Sequence, residues 1–442
     1  MIWLVDYNHY RVQMDQHLAL LRHDYFKIKK YVRYKKIGQT APVKTRTFSN
    51  GLLRLATLLS YNNVHVRYLH YYMLEKLIET EPIPEIVAFS SVCPTVPLCE
   101  KLAIRIKQIS PNTKVILGGA QVNNAFEQTK LKFPSFDDFC VGYELNAARY
   151  LAKTDLKDIQ NPYVDYSLLP FPLSEYSINT FTSVGCPFKC QYCADGRAPF
   201  FRTMKDGQLG IMKNLLPERT VIHFFDSILG YNRQGAFEVC QTLNKLDHNF
   251  VLSCDMRADI LTPQLVRQLE EAGFVEVRMG LDTASSDILK KNGRTIMPDV
   301  FIDKLKMIRS YSNLYISLYS ITGLPGTTIQ RHNETLSCIE YLHEQNLADE
   351  IKNAIYVPYP MDGVNYSKRG VHIIDNDWSK YDRASYPVFY LDTMDREEIW
   401  KLFIKTAEWM NKCWLKSCGL NNIKQIPIIE NEFSEYYEAN YN

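Results

Sequence analysis

Two stretches of the chain alternate short apolar runs with amphipathic segments, and that alternation limits the fold more than any other feature. In the first stretch Ile2–Val5, His65–Leu69, Ile86-Val-Ala-Phe-Ser90, Lys114-Val-Ile-Leu-Gly118 and Phe139-Cys-Val-Gly142 read as strands. Between them Gly51–Leu59 and Cys99–Ile109 carry apolar residues at helical spacing, and a last helix runs through Leu151. Strands apolar on both faces and separated by helices belong in a parallel sheet covered on both sides. In the second stretch Ile178–Val184, Val221–Phe225, Phe250–Cys254, Val275–Met279, Tyr315–Thr322 and Asn353–Val357 alternate with helical segments near 204–216, 234–246, 263–272, 283–291, 298–311 and 330–345. The fold class is α/β: a Rossmann-like parallel-sheet domain over residues 1–155, a proline-bearing linker over 156–174, and six βα units after it.

Just after the first strand of the second stretch, Cys186-Pro-Phe-Lys-Cys190-Gln-Tyr-Cys193 places three thiols in eight residues. So tight a triplet suits a soft, multi-iron centre better than a disulfide framework. Three ligands also leave the fourth iron of a cubane 4Fe–4S cluster open to a small molecule. A zinc knuckle and three free thiols are the other readings; a closed zinc site wants a fourth Cys or His, and the nearest downstream histidine is His223. Eleven cysteines, odd in number and irregular in spacing, point to a reducing compartment, with the cytoplasm as expected location. At 46% hydrophobic and 23% charged the chain reads as soluble and globular. A net charge of +2 makes no electrostatic case for nucleic acid or an anionic membrane. No apolar run approaches the ~20 residues that span a bilayer. Met1–Asp6 lacks the basic start of a signal peptide, and residues 10–50 read as a basic insertion or surface loop.

With Tyr192 directly before the last cysteine, the spacing resembles the signature of the radical S-adenosylmethionine (AdoMet) superfamily. The resemblance implies that Cys186, Cys190 and Cys193 bind three irons, that AdoMet chelates the fourth, and that Tyr192 lies near the adenine. It also implies that the six βα units form a partial (β/α)6 TIM-type barrel over 175–369, with functional groups at the C-terminal ends of its strands. There His223-Phe-Phe-Asp226-Ser227 occupies the place where related enzymes carry an acidic residue for the AdoMet amino group. Met279-Gly280-Leu281-Asp282 resembles a Gly-x-Glu-Ser segment that touches the methionyl or ribose part, with Asp in place of Glu at 282. Ile321-Thr-Gly323-Leu324-Pro325-Gly326 resembles the turn after the fifth strand, and Tyr356-Val-Pro-Tyr359-Pro360 the segment after the sixth. Arg202 and Arg257 are carboxylate or substrate contacts, or structural ion pairs.

In the first domain Ser90, Ser91, Gly118, Gly119 and Gly142 fall at the carboxyl ends of strands, where such folds bind ligands. Glycines there let a large planar or phosphate-bearing ligand approach the backbone; simple tight turns are the other reading. Paired glycines after one strand and Gly142-Tyr143-Glu144 after the next resemble the cobalamin-binding domain that precedes many radical AdoMet barrels. There is no Asp-x-His-x-x-Gly motif, so no histidine ligand to cobalt is expected.

The resemblance implies a one-electron-reduced cluster that cleaves AdoMet to methionine and a 5′-deoxyadenosyl radical, fed by an external flavodoxin- or ferredoxin-type reductant. Methylcobalamin presented over the barrel mouth would then give methylation of an unactivated carbon in a peptide or natural-product substrate. The rival is a cobalamin-independent enzyme such as a peptide epimerase, for which Cys254, ending a barrel strand, is the candidate hydrogen donor. A non-catalytic iron–sulfur or corrinoid sensor is the third reading. The C-terminal region, 370–442, is small and mainly helical, with one clear helix at Arg396–Cys413 and an acidic, tyrosine-rich tail. It holds only Cys413 and Cys418, so no auxiliary cluster is expected.

Overall fold

The computed structural model describes residues 1–7, 46–153, 163–197, 201–202, 208–216 and 220–419. Most of the basic 10–50 segment, the first half of the linker, the start of the helix near 204, the Arg202 side chain and the C-terminal tail lie outside the described residues.

The first domain is a five-stranded parallel sheet of β1 (Ile2–Asp6), β2 (Val66–His70), β3 (Ile86–Ser90), β4 (Lys114–Gly118) and β5 (Asp138–Phe139) in the order β2-β1-β3-β4-β5. Alternate residues serve the two faces. Ile2, Leu4, Ala88 and Ile116 pack with the helix Asn50–Tyr61, while Trp3, Val5, Val87, Phe89 and Leu117 pack with the helix Val96–Ile109. Burial of each large apolar side chain contributes roughly 1.5–3 kcal/mol, which is why the interiors of the central strands β1, β3 and β4 are apolar on both faces. In-register pairing leaves Asp6, His70, Ser90 and Gly118 level along the carboxyl edge. Asp6 pins that edge, accepting from the Ser49 amide at 2.8 Å, and Ser49 caps the helix Asn50–Tyr61.

The second domain is built on β6 (Ile178–Thr180), β7 (Ser183–Val184), β8 (Phe201–Arg202), β9 (Val221–Phe224), β10 (Val251–Met256), β11 (Phe274–Asp282), β12 (Tyr315–Thr322) and β13 (Glu350–Ile355). Six of them form a parallel sheet in the order β6-β9-β10-β11-β12-β13, the expected partial barrel, with β6 and β13 as its edges. The strand expected over Ile178–Val184 is split: β7 leaves the sheet and pairs antiparallel with β8. The reason is Asp226, which takes the amides of Thr182 and Ser183 that a continuous strand would have given to its neighbour.

Along the barrel strands, Ile222, Leu252, Cys254, Val277, Met279, Ile316 and Leu318 face the helices and join the main core. The alternate set faces inward. Val221, Val251, Val275 and Tyr315 form a small apolar plug at the amino end, and polar residues follow above it. The C-terminal region opens with a strand pair, β14 (Val371–Ile373) and β15 (Phe389–Leu391), that sequence reading missed. Its helix runs from Arg396 to Ser417, past the expected Cys413, behind a capping box of Asp395 and Glu398.

Hydrogen bonds join the domains at their carboxyl ends. After β4, Gln121 donates to the Pro360 carbonyl at 3.3 Å. The Asp362 amide donates to the Asn124 carbonyl at 2.9 Å, and the Asp362 carboxylate accepts from the Glu127 amide at 3.1 Å. Pro360 and Asp362 follow β13, so the carboxyl edge of the first sheet is held at the mouth of the barrel.

Candidate active site

The cysteine loop leaves β7 and returns through β8, its three thiols half-buried. The Gln191 amide donates to the Asn292 carbonyl at 2.9 Å, and Arg369 donates to the Gln191 carbonyl at 2.7 Å. Lys189 reaches the Gly196 carbonyl at 2.7 Å. The Arg257 guanidinium lies 3.5 Å from the Phe188 ring centroid and forms a two-pronged ion pair with Asp259. Arg257 is therefore a buried brace of the loop, the structural one of its two sequence readings. Burial raises the Cys186 thiol and pushes Cys193 up to about 12; coordination to a metal is what ionises such thiols at neutral pH.

Among the described residues no three His, Cys, Asp or Glu side chains converge to hold a single metal ion. Tetrahedral zinc needs four donors at one centre, whereas a cubane takes one thiolate on each of three irons. His223 is not available as a fourth zinc ligand. It turns into the barrel, where Nδ1 is 2.8 Å from Ser253 Oγ and Nε2 lies between Asp255 (3.0 Å) and Arg278 (3.1 Å). Three spaced, half-buried thiols on one braced loop fit the iron–sulfur cluster.

Asp226 sits below that loop, 2% exposed. It accepts from the Thr182 amide at 3.0 Å and hydroxyl at 2.5 Å, and from the Ser183 amide at 2.9 Å and hydroxyl at 2.8 Å. On the carboxylate expected to meet an amino group of AdoMet, Oδ1 is filled by its own chain, while Oδ2 takes only the shared Thr182 amide at 3.0 Å. Ser227 donates to Asp195 at 2.9 Å. Burial pushes Asp226 up to about 6 from its ordinary 3.8, against the pull of the four donors. With the folded value above the unfolded one, its stabilising contribution is whole below about 3.8 and is lost as pH rises through about 6. The wild-type melting temperature is expected to fall across that window, and in Asp226→Asn that part of the slope disappears. Parallel slopes in the two proteins, followed by circular dichroism from pH 4 to 8, would refute it.

Tyr192 and Asp282 come together, the hydroxyl donating to Asp282 Oδ2 at 2.6 Å. Asp282 adopts φ +59 at an irregularity in β11 and forms an ion pair with Arg294 at 3.1 Å. Arg294 also donates to the Gly280 carbonyl at 2.7 Å. A Cβ at Gly280 would stand 2.8 Å from the Asp282 carboxylate, so a side chain there would have to displace that carboxylate. Gly323 faces elsewhere: its missing Cβ makes room for Ile399 of the C-terminal helix. The Pro325 carbonyl accepts from Asn292 at 3.1 Å, which ties the turn after β12 to the cysteine loop. Tyr359 is half-buried beside Arg383, and burial raises its phenol.

Cys254 is a correction. Its side chain is fully buried on the helix-facing side of β10, while its neighbours Ser253 and Asp255 point into the barrel. A thiol on that face cannot return hydrogen to a substrate. The inward groups that sequence reading missed are His223, Asp255, Arg278 and Glu276. Arg278 reaches Glu276 at 3.3 Å, and Ser317 donates to Glu276 at 2.8 Å. The signal was present as Ser253-x-Asp255 and Glu276-x-Arg278, polar pairs at strand period inside apolar runs.

In the first domain a cavity of about 260 Å³ opens at the carboxyl edge between the helices Asn50–Tyr61 and Glu144–Ala152. Ser90, Gly118, Gly119 and Gly142 line it, with Leu52, Leu55, Ile116 and Ala147 as its apolar wall. Ser91 does not; it is fully buried, and its amide donates to the Gly118 carbonyl at 3.2 Å. Gly119 (φ +98) could carry no side chain, because a Cβ would stand 2.6 Å from both the Ser91 amide and carbonyl. Gly142 (φ +115) is bracketed by Asn123, which accepts from its amide at 2.7 Å and donates to its carbonyl at 3.1 Å. A slot with apolar walls and a lip that only glycine can form fits a flat group such as the benzimidazole tail of a corrinoid. Burial raises the phenol of the next residue, Tyr143, and the charge of Asp195 in the cysteine loop adds to that shift.

Comparison with known proteins agrees with this geometry. Residues 180–339 match the family model of the radical SAM superfamily, and residues 39–152 match that of the B12 binding domain. An uncharacterized methyltransferase of Pyrococcus horikoshii, PH0819, is 22% identical over 73% of this chain and 77% of its own length. The anaerobic magnesium-protoporphyrin IX monomethyl ester cyclase of Rubrivivax gelatinosus is 21% identical over 75% of this chain and 67% of its own. The fold is shared with the radical AdoMet methyltransferase TsrM of Kitasatospora setae, solved with cobalamin and a [4Fe-4S] cluster: TM-score 0.60, 12% identity, 92% of this chain and 88% of that one. It is shared too with the cobalamin-dependent AdoMet radical enzyme OxsB at TM-score 0.53 and 14% identity, over 77% of this chain and 52% of that one. With both domains matched in this order on one continuous fold, the chain is a radical AdoMet superfamily enzyme whose N-terminal domain is of the cobalamin-binding type.

Proposed function

We propose that the enzyme methylates an unactivated carbon of a peptide or natural-product substrate in a cobalamin-dependent reaction. The observation that carries this reading is the glycine-lipped cavity fixed at the barrel mouth by the contacts of Gln121 and Asp362. Cys186, Cys190 and Cys193 would hold the cluster, and Ser90, Gly118, Gly119 and Gly142 would face the corrinoid. When bound, the cluster with AdoMet supplies one-electron chemistry and a carbon radical, and the corrinoid supplies a transferable methyl group. The chain's own work is placement: the domain contacts set the two sites side by side, and the polar barrel floor orients a substrate. Asp255, Arg278 and Lys352 each keep part of their surface exposed there. The rival epimerase reading loses support with Cys254 on the wrong face of its strand.

The test is anaerobic reconstitution with iron, sulfide and hydroxocobalamin, then addition of a strong reductant that takes the bound corrinoid to cob(I)alamin, followed by AdoMet labelled in its methyl group. About one corrinoid retained per chain, with label appearing on it, is the expected result. A chain that assembles the cluster but retains no corrinoid would move the assignment to a cobalamin-independent reaction.

A further inference from the structure

The barrel floor carries a charge that its own side chains leave unbalanced. Three carboxylates stand on it, those of Asp255, Glu276 and Glu350, against the two cations of Arg278 and Lys352. Arg278 meets Glu276 at 3.3 Å, and Lys352 meets Glu350 at 3.2 Å. Both of those carboxylates are buried. Asp255 is the one left over, and 27% of its side chain is exposed.

Among the described residues, the side-chain donor within reach of Asp255 is His223 Nε2, at 3.0 Å. That nitrogen is contested, because Arg278, which can only donate, lies 3.1 Å from it. A neutral imidazole offers Nε2 either as an N–H to Asp255 or as a lone pair to Arg278, never as both. Ser253 Oγ, 2.8 Å from Nδ1, can donate or accept and so serves either tautomer. A protonated ring would balance Asp255, but burial holds His223 below its ordinary value. Beside this carboxylate stands an aromatic ring with no core to fill. Phe225 lies two places after His223, on the same side of the chain and one step nearer the mouth. It is 62% exposed, its ring at 82° to the imidazole with centroids 4.7 Å apart. A carboxylate and an open aromatic face around one imidazole are what an ammonium binds, by charge-assisted hydrogen bonding and by cation–π attraction.

We propose that the part of the substrate entering the barrel carries a protonated amine, seated between the Asp255 carboxylate and the Phe225 ring. The inference rests on the methyl-transfer reading above and narrows its substrate to a cationic one. An anionic group could meet Arg278 and Lys352 only by breaking their pairs with Glu276 and Glu350. Asp255 thereby sets specificity by charge and takes no part in the chemistry.

The experiment measures binding to the reconstituted protein with AdoMet by saturation-transfer NMR, using three probes of one size: phenethylamine, phenethyl alcohol and phenylacetate. The wild type is expected to bind the amine about tenfold more tightly than the alcohol, a difference of about 1.4 kcal/mol, and phenylacetate most weakly. Asp255→Asn should bring amine and alcohol level, and Phe225→Leu should weaken the amine more than the alcohol. Equal binding of amine and alcohol by the wild type, phenylacetate bound as well as the amine, or no measurable binding of any probe overturns the proposal, and none of these results needs a variant to fold. So does an amine preference that survives Asp255→Asn, or a loss of AdoMet affinity in that variant, because Asp255 would then serve the cofactor. A chain that retains no corrinoid sinks the methyl-transfer reading instead, and the ranking of probes is still read on its cluster-bearing form, which keeps the two failures apart.

Discussion

Alanine at any one of Cys186, Cys190 or Cys193 is expected to reduce the cluster iron of the reconstituted protein to the level of a chain never given iron. Each thiolate would hold its own iron, and neighbouring groups offer no ready substitute: His223 is committed inside the barrel, and Asp226 is buried and tied to Thr182 and Ser183. AdoMet-dependent chemistry should vanish with the cluster. Corrinoid retention should not change, because the slot is lined by the first domain. Iron and sulfide analysis beside corrinoid absorbance separates the two. A single-alanine variant that keeps a full cluster would end the assignment of these thiols.

The second large effect is the reverse. Gly119→Val is expected to abolish corrinoid retention and leave the cluster in place. Backbone at φ +98 costs a branched residue on the order of 1–3 kcal/mol. The new Cβ would also push the β3 turn apart, 2.6 Å from the Ser91 amide and carbonyl. A loss of about 2.7 kcal/mol of binding weakens affinity roughly 100-fold, enough to lose the corrinoid on gel filtration. Gly363→Ala is the control. It too has positive φ (+73), but nothing lies within 4 Å of its Cβ direction, so it should keep the corrinoid at a small cost in stability. Equal retention by Gly119→Val and the wild type would mean that the slot is not the corrinoid site.

What the sequence revealed was local, and what it hid depended on distant partners. The triplet of cysteines was legible because all three fall on one loop; the first sheet was legible because its strands are apolar on both faces, and the second because its apolar runs alternate with helical segments. Four of the five expected residues of the first domain line one cavity, and two of them, Gly119 and Gly142, sit on positive-φ backbone that favours glycine locally. The break between β6 and β7 was not legible: it is caused by Asp226, more than forty residues downstream. Nor were the partners of Asp226 and Asp282 legible: Thr182, Ser183 and Arg294 bond to carboxylates that were read as facing a cofactor, and nothing local reveals such partners. Cys254 failed on parity alone. On a strand a shift of one position exchanges the inner face for the outer, and Ser253 and Asp255 hold the inner places.

That parity has a consequence for how such an enzyme can be retooled. The helix-facing residues of β9 to β12 bear most of the packing, while His223, Ser253, Asp255, Glu276 and Arg278 stand between them on the other side. Specificity and solidity are thereby written on alternate letters of the same strands. Exchanging the inner letters in balanced pairs, acid with base, can redraw which molecule is welcomed without loosening the shell that holds the architecture upright.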